Sequence, residues 1–207
     1  MLDEPFTGLD TPVRDELRRE LRRLQQGTAP TTVIITHDPE EAALLADETL
    51  IVAGGQLLQA GDQRDVFAHP ATPEAARLLG IRNLHPGRIA DPHTIEVDGT
   101  RITVATTDLP AGTPVTRCIR PEDIRLTDTG GHPATILDTV HLGAITELRA
   151  ALPTGHELSI AVTTQAMPPT TGGCRIHLPP EAITVWPAPP DDTRPTPASN
   201  TAPSRAN

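Results

Sequence analysis

The first eighty residues alternate between strand-like and helical patterns of apolar positions. A helix is predicted over residues 11–27, with proline in its first turn and glycine at its end. Its apolar stripe consists of Val13, Leu17, Leu21 and Leu24. A buried strand is predicted at 32–36, and a second helix from Asp38 to about Asp47, where Pro39 and two glutamates suit a first turn. This alternation is typical of a parallel sheet with helical crossovers.

Short strands dominate the rest of the chain. Strands at 49–53 and 56–60 flank a Gly-Gly turn, and a short helix is predicted from Thr72 to Gly80. Beyond Asn83 the β-rich runs are TIEVDG, TRITVA, TRCIRPEDIRL, ELRAAL, ELSIAV and CRIHL. The pattern predicts an α/β region at 1–82 and an all-β domain at 83–188. Residues 189–207 are rich in Pro, Thr, Ala and Asp without an apolar period, so this tail is predicted to be disordered.

The β-rich region contains a weak internal repeat. The segment RPEDIRL at 120–126 is echoed by PPEAITV at 179–185, and each follows a glycine and a short apolar strand. This predicts an internal duplication with a spacing of roughly sixty residues.

The composition and net charge of the chain restrict the classes of function that it can have. The chain has 207 residues and a net charge of −10, and all 17 basic residues are arginine. Such a charge argues against nucleic acid as a partner, because nucleic-acid binding usually needs a basic surface. No run approaches the ~20 apolar residues that span a bilayer, so a cytoplasmic protein is expected. The core is expected to be aliphatic, because the aromatic residues are only Phe6, Phe67 and Trp186. Cys118 and Cys174 are interpreted as ordinary strand residues.

The candidate chemistry begins at the first residues, MLDEPFTGLD. An aspartate at the end of a strand can hold Mg²⁺, and the carboxylate that follows can orient a water molecule for phosphoryl transfer. The segment resembles the Walker B motif and D-loop of ATP-binding cassette (ABC) ATPases. The resemblance implies that Asp3 is the Mg²⁺ ligand and Glu4 the general base. It also implies that Asp10 reaches toward the nucleotide site of a partner subunit.

A second motif follows the predicted strand at 32–36. The residues THDPEEA at 36–42 resemble the switch-histidine segment of the same family, which implies that His37 contacts the γ-phosphate of ATP. The alternative is that His37 has no functional role and only caps a helix or faces solvent. Histidine at the end of a strand suits the first role, because ligands bind at the carboxyl ends of strands in open α/β sheets.

The resemblance extends along most of the chain. The segments ADETL, GQLLQAG and DVFAHP resemble the end of an importer ATPase domain, and AARLLG with Asn83 resembles the link to its β-rich TOBE domain. The runs GTPV and IRPEDI, together with Leu142-Gly143, are typical of that domain. The expected fold is therefore a partial α/β ABC ATPase domain followed by an all-β, OB-like TOBE barrel.

The phosphate-binding loop G-x-x-x-x-G-K-[ST] cannot occur in this sequence, because it contains no lysine. The signature motif and glutamine loop, which precede Walker B in the family, are absent as well. We therefore expect a truncated ATP-binding subunit that does not hydrolyse ATP alone, since phosphoryl transfer depends on positioned phosphates.

The resemblance implies that the full-length protein couples hydrolysis of ATP with Mg²⁺ to solute import. Its expected partners are a second ATPase subunit in a homodimer and membrane permease subunits, at the inner face of the cell membrane. Importers of molybdate, tungstate, sulfate, iron(III), phosphonate, polyamines and sugars carry such β domains in the family that the chain resembles, and an inorganic anion such as molybdate or sulfate is slightly favoured as the solute. The alternative is a regulatory, anion-binding or dimerisation module with a vestigial ATPase remnant. Its candidate anion ligands are Arg117, Arg120, Arg125, Gly130-Gly131 and Gly172-Gly173.

Overall fold

The structure is a computed structural model that describes residues 1–28, 31–166 and 171–188. The tail predicted to be disordered at 189–207 lies outside the described residues. Among the helices described, none is long and apolar enough to cross a bilayer.

The chain begins with a parallel crossover. Strand β1 (Leu2–Asp3) pairs in parallel with β2 (Ile34–Ile35), and helix α1 (Thr11–Thr28) connects them. This confirms the predicted crossover. The predicted burial of the second strand is wrong, because Val33 and Ile35 are each about half exposed. Only two strands pair in this sheet within the described residues, and Leu2 and Ile35 on them are exposed.

Three short helices and a hairpin follow. Helix α2 (Pro39–Leu45) begins after Asp38, whose side chain accepts a hydrogen bond from the Glu40 amide as an N-cap. Strands β3 (Glu48–Ala53) and β4 (Gln56–Asp62) form the predicted antiparallel hairpin around Gly54-Gly55. Helix α4 (Pro73–Leu78) was predicted. Helix α3 (Gln63–Ala68) was not predicted, because six residues are too few to show a helical period.

The described residues of the all-β part contain ten strands. They are β5 (Asn83–Asp91), β6 (Thr94–Val97), β7 (Thr100–Thr103), β8 (Pro114–Ile119), β9 (Arg125–Thr127), β10 (His132–His141), β11 (Ile145–Ala151), β12 (Glu157–Thr163), β13 (Gly172–His177) and β14 (Thr184–Pro187). They form two five-stranded sheets, ordered β7-β6-β5-β8-β14 and β12-β11-β10-β13-β9. The strands in each sheet are antiparallel. The predicted all-β, OB-like second region is confirmed.

The sheet order confirms the internal duplication and extends it to the whole β region. Each repeat gives four strands to one sheet and its fifth strand to the edge of the other, so β9 and β14 are exchanged. The register is equivalent in the two sheets: Arg175 pairs with Thr127 as Thr116 pairs with Trp186. The two His-Pro pairs at 85–86 and 132–133 occupy matching positions on β5 and β10.

The core lies between the two sheets. It consists of aliphatic side chains, as expected from the sequence: Ile89, Ile95, Val97, Ile102, Val104, Val115, Ile119, Ile124, Ala134, Ile136, Leu148, Ala150, Leu152, Leu158, Ile160, Ile176, Leu178 and Ile183. Trp186 packs separately, against Ala76, Ile81 and Cys118 at the junction with the α/β part. Its indole Nε1–H donates to the Pro70 carbonyl at 3.1 Å, and Arg120 donates to the Phe67 carbonyl. The two parts of the chain are thus joined by packing and by hydrogen bonds.

Candidate functional site

Glu4 and His37 meet just beyond the ends of the two parallel strands. Asp3 at the end of β1 lies in register with Ile35 at the end of β2, and the Glu4 amide donates to the Ile35 carbonyl at 2.8 Å. The next residues along each strand therefore point toward a shared edge. The Nδ1 atom of His37 lies 2.9 Å from Oε1 of Glu4, within hydrogen-bond distance.

The Glu4 carboxylate is held from two sides. Its other oxygen, Oε2, accepts a hydrogen bond from the Thr7 hydroxyl at 3.0 Å. The hydrogen bond from His37, followed by that from Thr7, lowers the pKa of Glu4. The same contact with Glu4 raises the pKa of His37. Glu4 therefore stays ionised, and His37 is biased toward the imidazolium form.

Glu4 also has an unusual backbone. Its φ of 41° is in the left-handed region, which is uncommon for a residue with a side chain. Such conformations persist only where the surrounding structure imposes them, and they concentrate at functional sites. Here the turn between β1 and α1 directs the carboxylate toward His37 and Thr7.

The other two predicted site residues do not join this contact. Asp3 is exposed on β1, next to Glu4 in sequence. Asp10 lies just before α1, and its carbonyl accepts a hydrogen bond from the Arg14 amide. Within the described residues, no group of three or more His, Cys, Asp or Glu side chains is arranged to hold a metal ion.

Four supporting residues were missed by sequence reasoning: Thr7, Arg18, Thr36 and Glu41. The Thr36 hydroxyl donates to Glu41 Oε2 at 2.5 Å, and Arg18 on α1 forms ion pairs with Asp38 and Glu41. Thr7 and Thr36 lie within the two motifs and could have been considered. Arg18 gives no such signal, because it is one of several arginines along an amphipathic helix.

These residues fit one side of a site for ATP and Mg²⁺. Carboxylates are ligands that Mg²⁺ prefers, and a carboxylate bonded to an imidazole can orient water. The groups that usually hold the β- and γ-phosphates come from a lysine-containing loop, and the sequence contains no lysine. The described residues thus include a carboxylate–imidazole pair whose chemistry suits the orientation of a water molecule.

The alternative anion ligands do not converge. Arg117 is fully buried in the β core, Arg120 donates to the Phe67 carbonyl, and Arg125 is exposed on β9. The carbonyls of Gly130 and Gly131 accept from Arg175, so they face a cation. Both cysteines are free and lie on strands, as interpreted from the sequence.

Comparison with known proteins agrees with both parts of the chain. Residues 117–186 match the family model of the TOBE domain. The chain is 38% identical over 189 residues to the sulfate/thiosulfate import ATP-binding protein CysA of Xanthomonas campestris pv. campestris, a match that covers 91% of this chain and 54% of that protein. It is 36% identical over 140 residues to the Fe(3+) ions import ATP-binding protein FbpC 2 of Rhizobium meliloti, covering 68% of this chain and 35% of that protein.

A third relative is the spermidine/putrescine import ATP-binding protein PotA of Ruegeria pomeroyi, 34% identical over 166 residues, with 75% of this chain and 44% of that protein covered. The chain thus spans about half the length, or less, of these relatives. Among solved structures it is similar to the cytoplasmic molybdate-binding protein ModG, with a TM-score of 0.43 and 16% identity over 52% of this chain and 97% of that one. By its TOBE domain and its curated relatives, the chain belongs to the ATP-binding proteins of ABC importers.

Proposed function

We propose that this chain contributes the water-activating side of an ATP site and a TOBE domain to an importer ATPase. The observation that carries the proposal is the hydrogen bond between Glu4 and His37 at the ends of two parallel strands. We place the division between the two domains after residue 82, with the TOBE-type domain at 83–188.

The proposed roles follow from the chemistry of each side chain. Glu4, kept ionised by its lowered pKa, accepts the proton of the attacking water as general base. His37 in its imidazolium form donates one N–H to Glu4 and has the other available for the γ-phosphate. Asp3 would hold Mg²⁺, and Asp10 would extend toward the site of a partner subunit. Bound Mg²⁺ supplies charge neutralisation at the phosphates.

The proposed setting is an ATPase homodimer docked on membrane permease subunits at the inner face of the cell membrane. Hydrolysis then drives solute uptake. We favour an inorganic anion as the solute, with sulfate or thiosulfate first, because the relative that covers 91% of this chain is named as a sulfate/thiosulfate importer. Alone, the chain is expected to leave ATP intact, because no lysine-containing phosphate loop occurs in it.

The roles can be tested by a chimera. The matching segment of the Xanthomonas CysA protein is replaced by residues 1–188 of this chain, and ATP turnover is measured. We expect turnover that Glu4→Gln reduces by about 10²-fold or more, in line with the loss of a general base, and that His37→Ala also reduces strongly. Glu16→Gln, at an exposed glutamate on α1, is the matched control and should retain turnover.

Retention of full turnover by the Glu4→Gln chimera would contradict the assigned role. Hydrolysis by the isolated chain that Glu4→Gln abolishes would contradict its proposed inactivity. For the solute, cells that carry the chimera with the cognate sulfate permease are assayed for uptake of labelled sulfate and thiosulfate. Uptake of neither would overturn the solute assignment while leaving the ATPase assignment intact.

A further inference from the structure

Arg18 is a buried cation that joins α1 to the beginning of α2. Its residue is 6% exposed, and its Nη2 atom lies 2.6 Å from Asp38 Oδ2 and 2.7 Å from Glu41 Oε1. Burial disfavours the charge, but the hydrogen bonds to Glu41 and Asp38 outweigh it and raise the pKa of Arg18. The guanidinium therefore stays charged and holds two carboxylates at once.

Those two carboxylates fix the residues on either side of His37. Glu41 Oε2 accepts the Thr36 hydroxyl at 2.5 Å, and the Asp38 amide donates to Thr36 Oγ1 at 3.0 Å. Asp38 also caps α2 through the Glu40 amide at 2.8 Å. Since Thr36 and Asp38 are both anchored, the backbone of His37 has little freedom to move.

The same guanidinium contacts the segment that carries Glu4. Its Cζ atom lies 5.9 Å from the centroid of the Phe6 ring, within the range of a cation–π contact. Phe6 is 5% exposed and follows Glu4 by two residues. Arg18 therefore touches both of the segments that bring Glu4 and His37 together.

The contact between Glu4 and His37 contributes little stability of its own. The side chains of His37 and Glu4 are 77% and 43% exposed, and exposed ion pairs contribute little because water screens them. The buried contacts of Arg18 are screened much less. We propose that Arg18 is a positioning residue that sets the separation of Glu4 and His37 through Asp38, Glu41 and Phe6. The functional meaning of that separation rests on the proposed function.

The length and planarity of the guanidinium are central to this role. One Nη atom binds both carboxylates while the delocalised plane faces an aromatic ring, which a compact ammonium group cannot reproduce. Lysine at position 18 should therefore fail to restore the geometry, although it restores the charge.

The tautomer of His37 reports on its hydrogen bond to Glu4, and it can be measured in the absence of nucleotide. A bond from Nδ1–H to Glu4 favours the Nδ1–H tautomer, whereas an unconstrained neutral imidazole prefers Nε2–H. We would record ¹⁵N spectra of the histidine side chains in the full chain at alkaline pH. The wild type should show the Nδ1–H form at His37, and Arg18→Gln and Arg18→Lys should each reduce it severalfold. Glu4→Ala should do the same, and Arg18→Gln should then add no further change.

Arg22→Gln is the matched control. Arg22 lies one turn further along α1, and it pairs at 3.4 Å with Asp47, whose side chain is 91% exposed. It should leave the His37 tautomer unchanged. A folded Arg18→Gln variant with the wild-type tautomer would overturn the proposal, and so would an equal change in Arg22→Gln.

If the Arg18 variants do not fold, the variants Thr36→Val and Thr36→Ser test the proposal instead. Valine removes the hydroxyl that links Glu41 to the Asp38 amide, next to His37 in the chain, so the Nδ1–H form should decline, whereas serine keeps the hydroxyl and should preserve it. Equal tautomer populations in the two variants would overturn the proposal. Loss of ATP turnover in the chimera bears on the proposed function and leaves this measurement unaffected.

Discussion

Arg117 donates a hydrogen bond from Nη2 to the Nε2 atom of His156 between the two sheets of the β region. Arg117 is fully buried on β8, and burial lowers its pKa to about 10, so it remains charged at neutral pH. His156 in turn places Nδ1 3.0 Å from Oδ2 of Asp98. These contacts require a neutral His156, which accepts from Arg117 at one nitrogen and donates to Asp98 from the other.

Removing the acceptor should destabilise the β region. In His156→Leu the charge of Arg117 stays buried without its partner, and we expect the free energy of unfolding to fall by about 3 kcal/mol. Urea denaturation followed by circular dichroism would measure it. His177→Leu is the control, because His177 is exposed on β13 and its substitution should change stability by about 0.5 kcal/mol or less. Equal losses in the two variants would contradict this account.

Lowering the pH should destabilise the protein already at pH values well above those at which carboxylates become protonated. The pKa of His85 is lowered to about 3, first by burial and then by Arg117 and His156, and the pKa of His156 is lowered by burial and by Arg117. Below pH 6.5 the unfolded chain takes up protons that the folded protein does not, so stability falls as pH falls. For His85 alone the loss between pH 6.5 and pH 5 is about 2 kcal/mol.

This pH dependence can be assigned to one residue. His85 packs edge-on against His156, with ring centroids 4.1 Å apart. Urea denaturation of wild type and His85→Gln at pH 5 and at pH 7 should show that the glutamine variant loses less stability on acidification. A variant that loses as much as the wild type would exclude His85 as the source.

The cluster around Arg117 shows where sequence reasoning reached its limit. The alternation along β8 places Arg117 on the same face as Val115 and Ile119, which are buried. From the sequence alone Arg117 is nevertheless a candidate anion ligand, because a charged residue is seldom fully buried. Its buried hydrogen-bond partner is His156, which lies 39 residues away in the chain, so no local pattern could reveal it.

At the candidate site the local signals were sufficient for the central contact. Glu4 and His37 each follow a predicted strand, and parallel strands bring their carboxyl ends to one edge, so their proximity followed from order alone. The anchoring by Arg18 could not be predicted. Its partners lie 20 and 23 residues away, and nothing in the helical pattern distinguishes Arg18 from the neighbouring Arg19.

Two adjacent glycines offer a further test of packing. Gly131 has a φ of 61°, and a Cβ atom there would overlap the Ile176 carbonyl oxygen on β13. Gly130 has a similar φ of 69° with open space around its Cα. We expect Gly130→Ala to cost about 1 kcal/mol from backbone strain. Gly131→Ala should cost at least ~2 kcal/mol more, because backbone atoms must also move. Thermal denaturation compares the two, and equal losses would contradict the close approach.

Asn83 should be an essential link between the two sheets. It is 2% exposed at the start of β5, and its side chain makes both hydrogen bonds that the Ser159 backbone of β12 offers. Its Nδ2 donates to the Ser159 carbonyl at 2.7 Å, and its Oδ1 accepts from the Ser159 amide at 2.8 Å. Asn83→Ala leaves both backbone groups unpaired and should cost about 3 kcal/mol in urea denaturation. Ser159→Ala keeps its backbone and should remain close to the wild type.

The variant Asn83→Asp distinguishes the contribution of the Asn83 Nδ2 donor from that of its Oδ1 acceptor. An ionised aspartate still accepts from the Ser159 amide but places a negative charge against the Ser159 carbonyl, so it should destabilise at neutral pH. Burial without a cation raises the pKa of that aspartate, and its protonated form can again donate to the carbonyl. The folded variant therefore takes up a proton more readily than the unfolded chain, and its deficit relative to the wild type should shrink as pH falls. A deficit that is constant between pH 7 and pH 5 would contradict a raised pKa at this position.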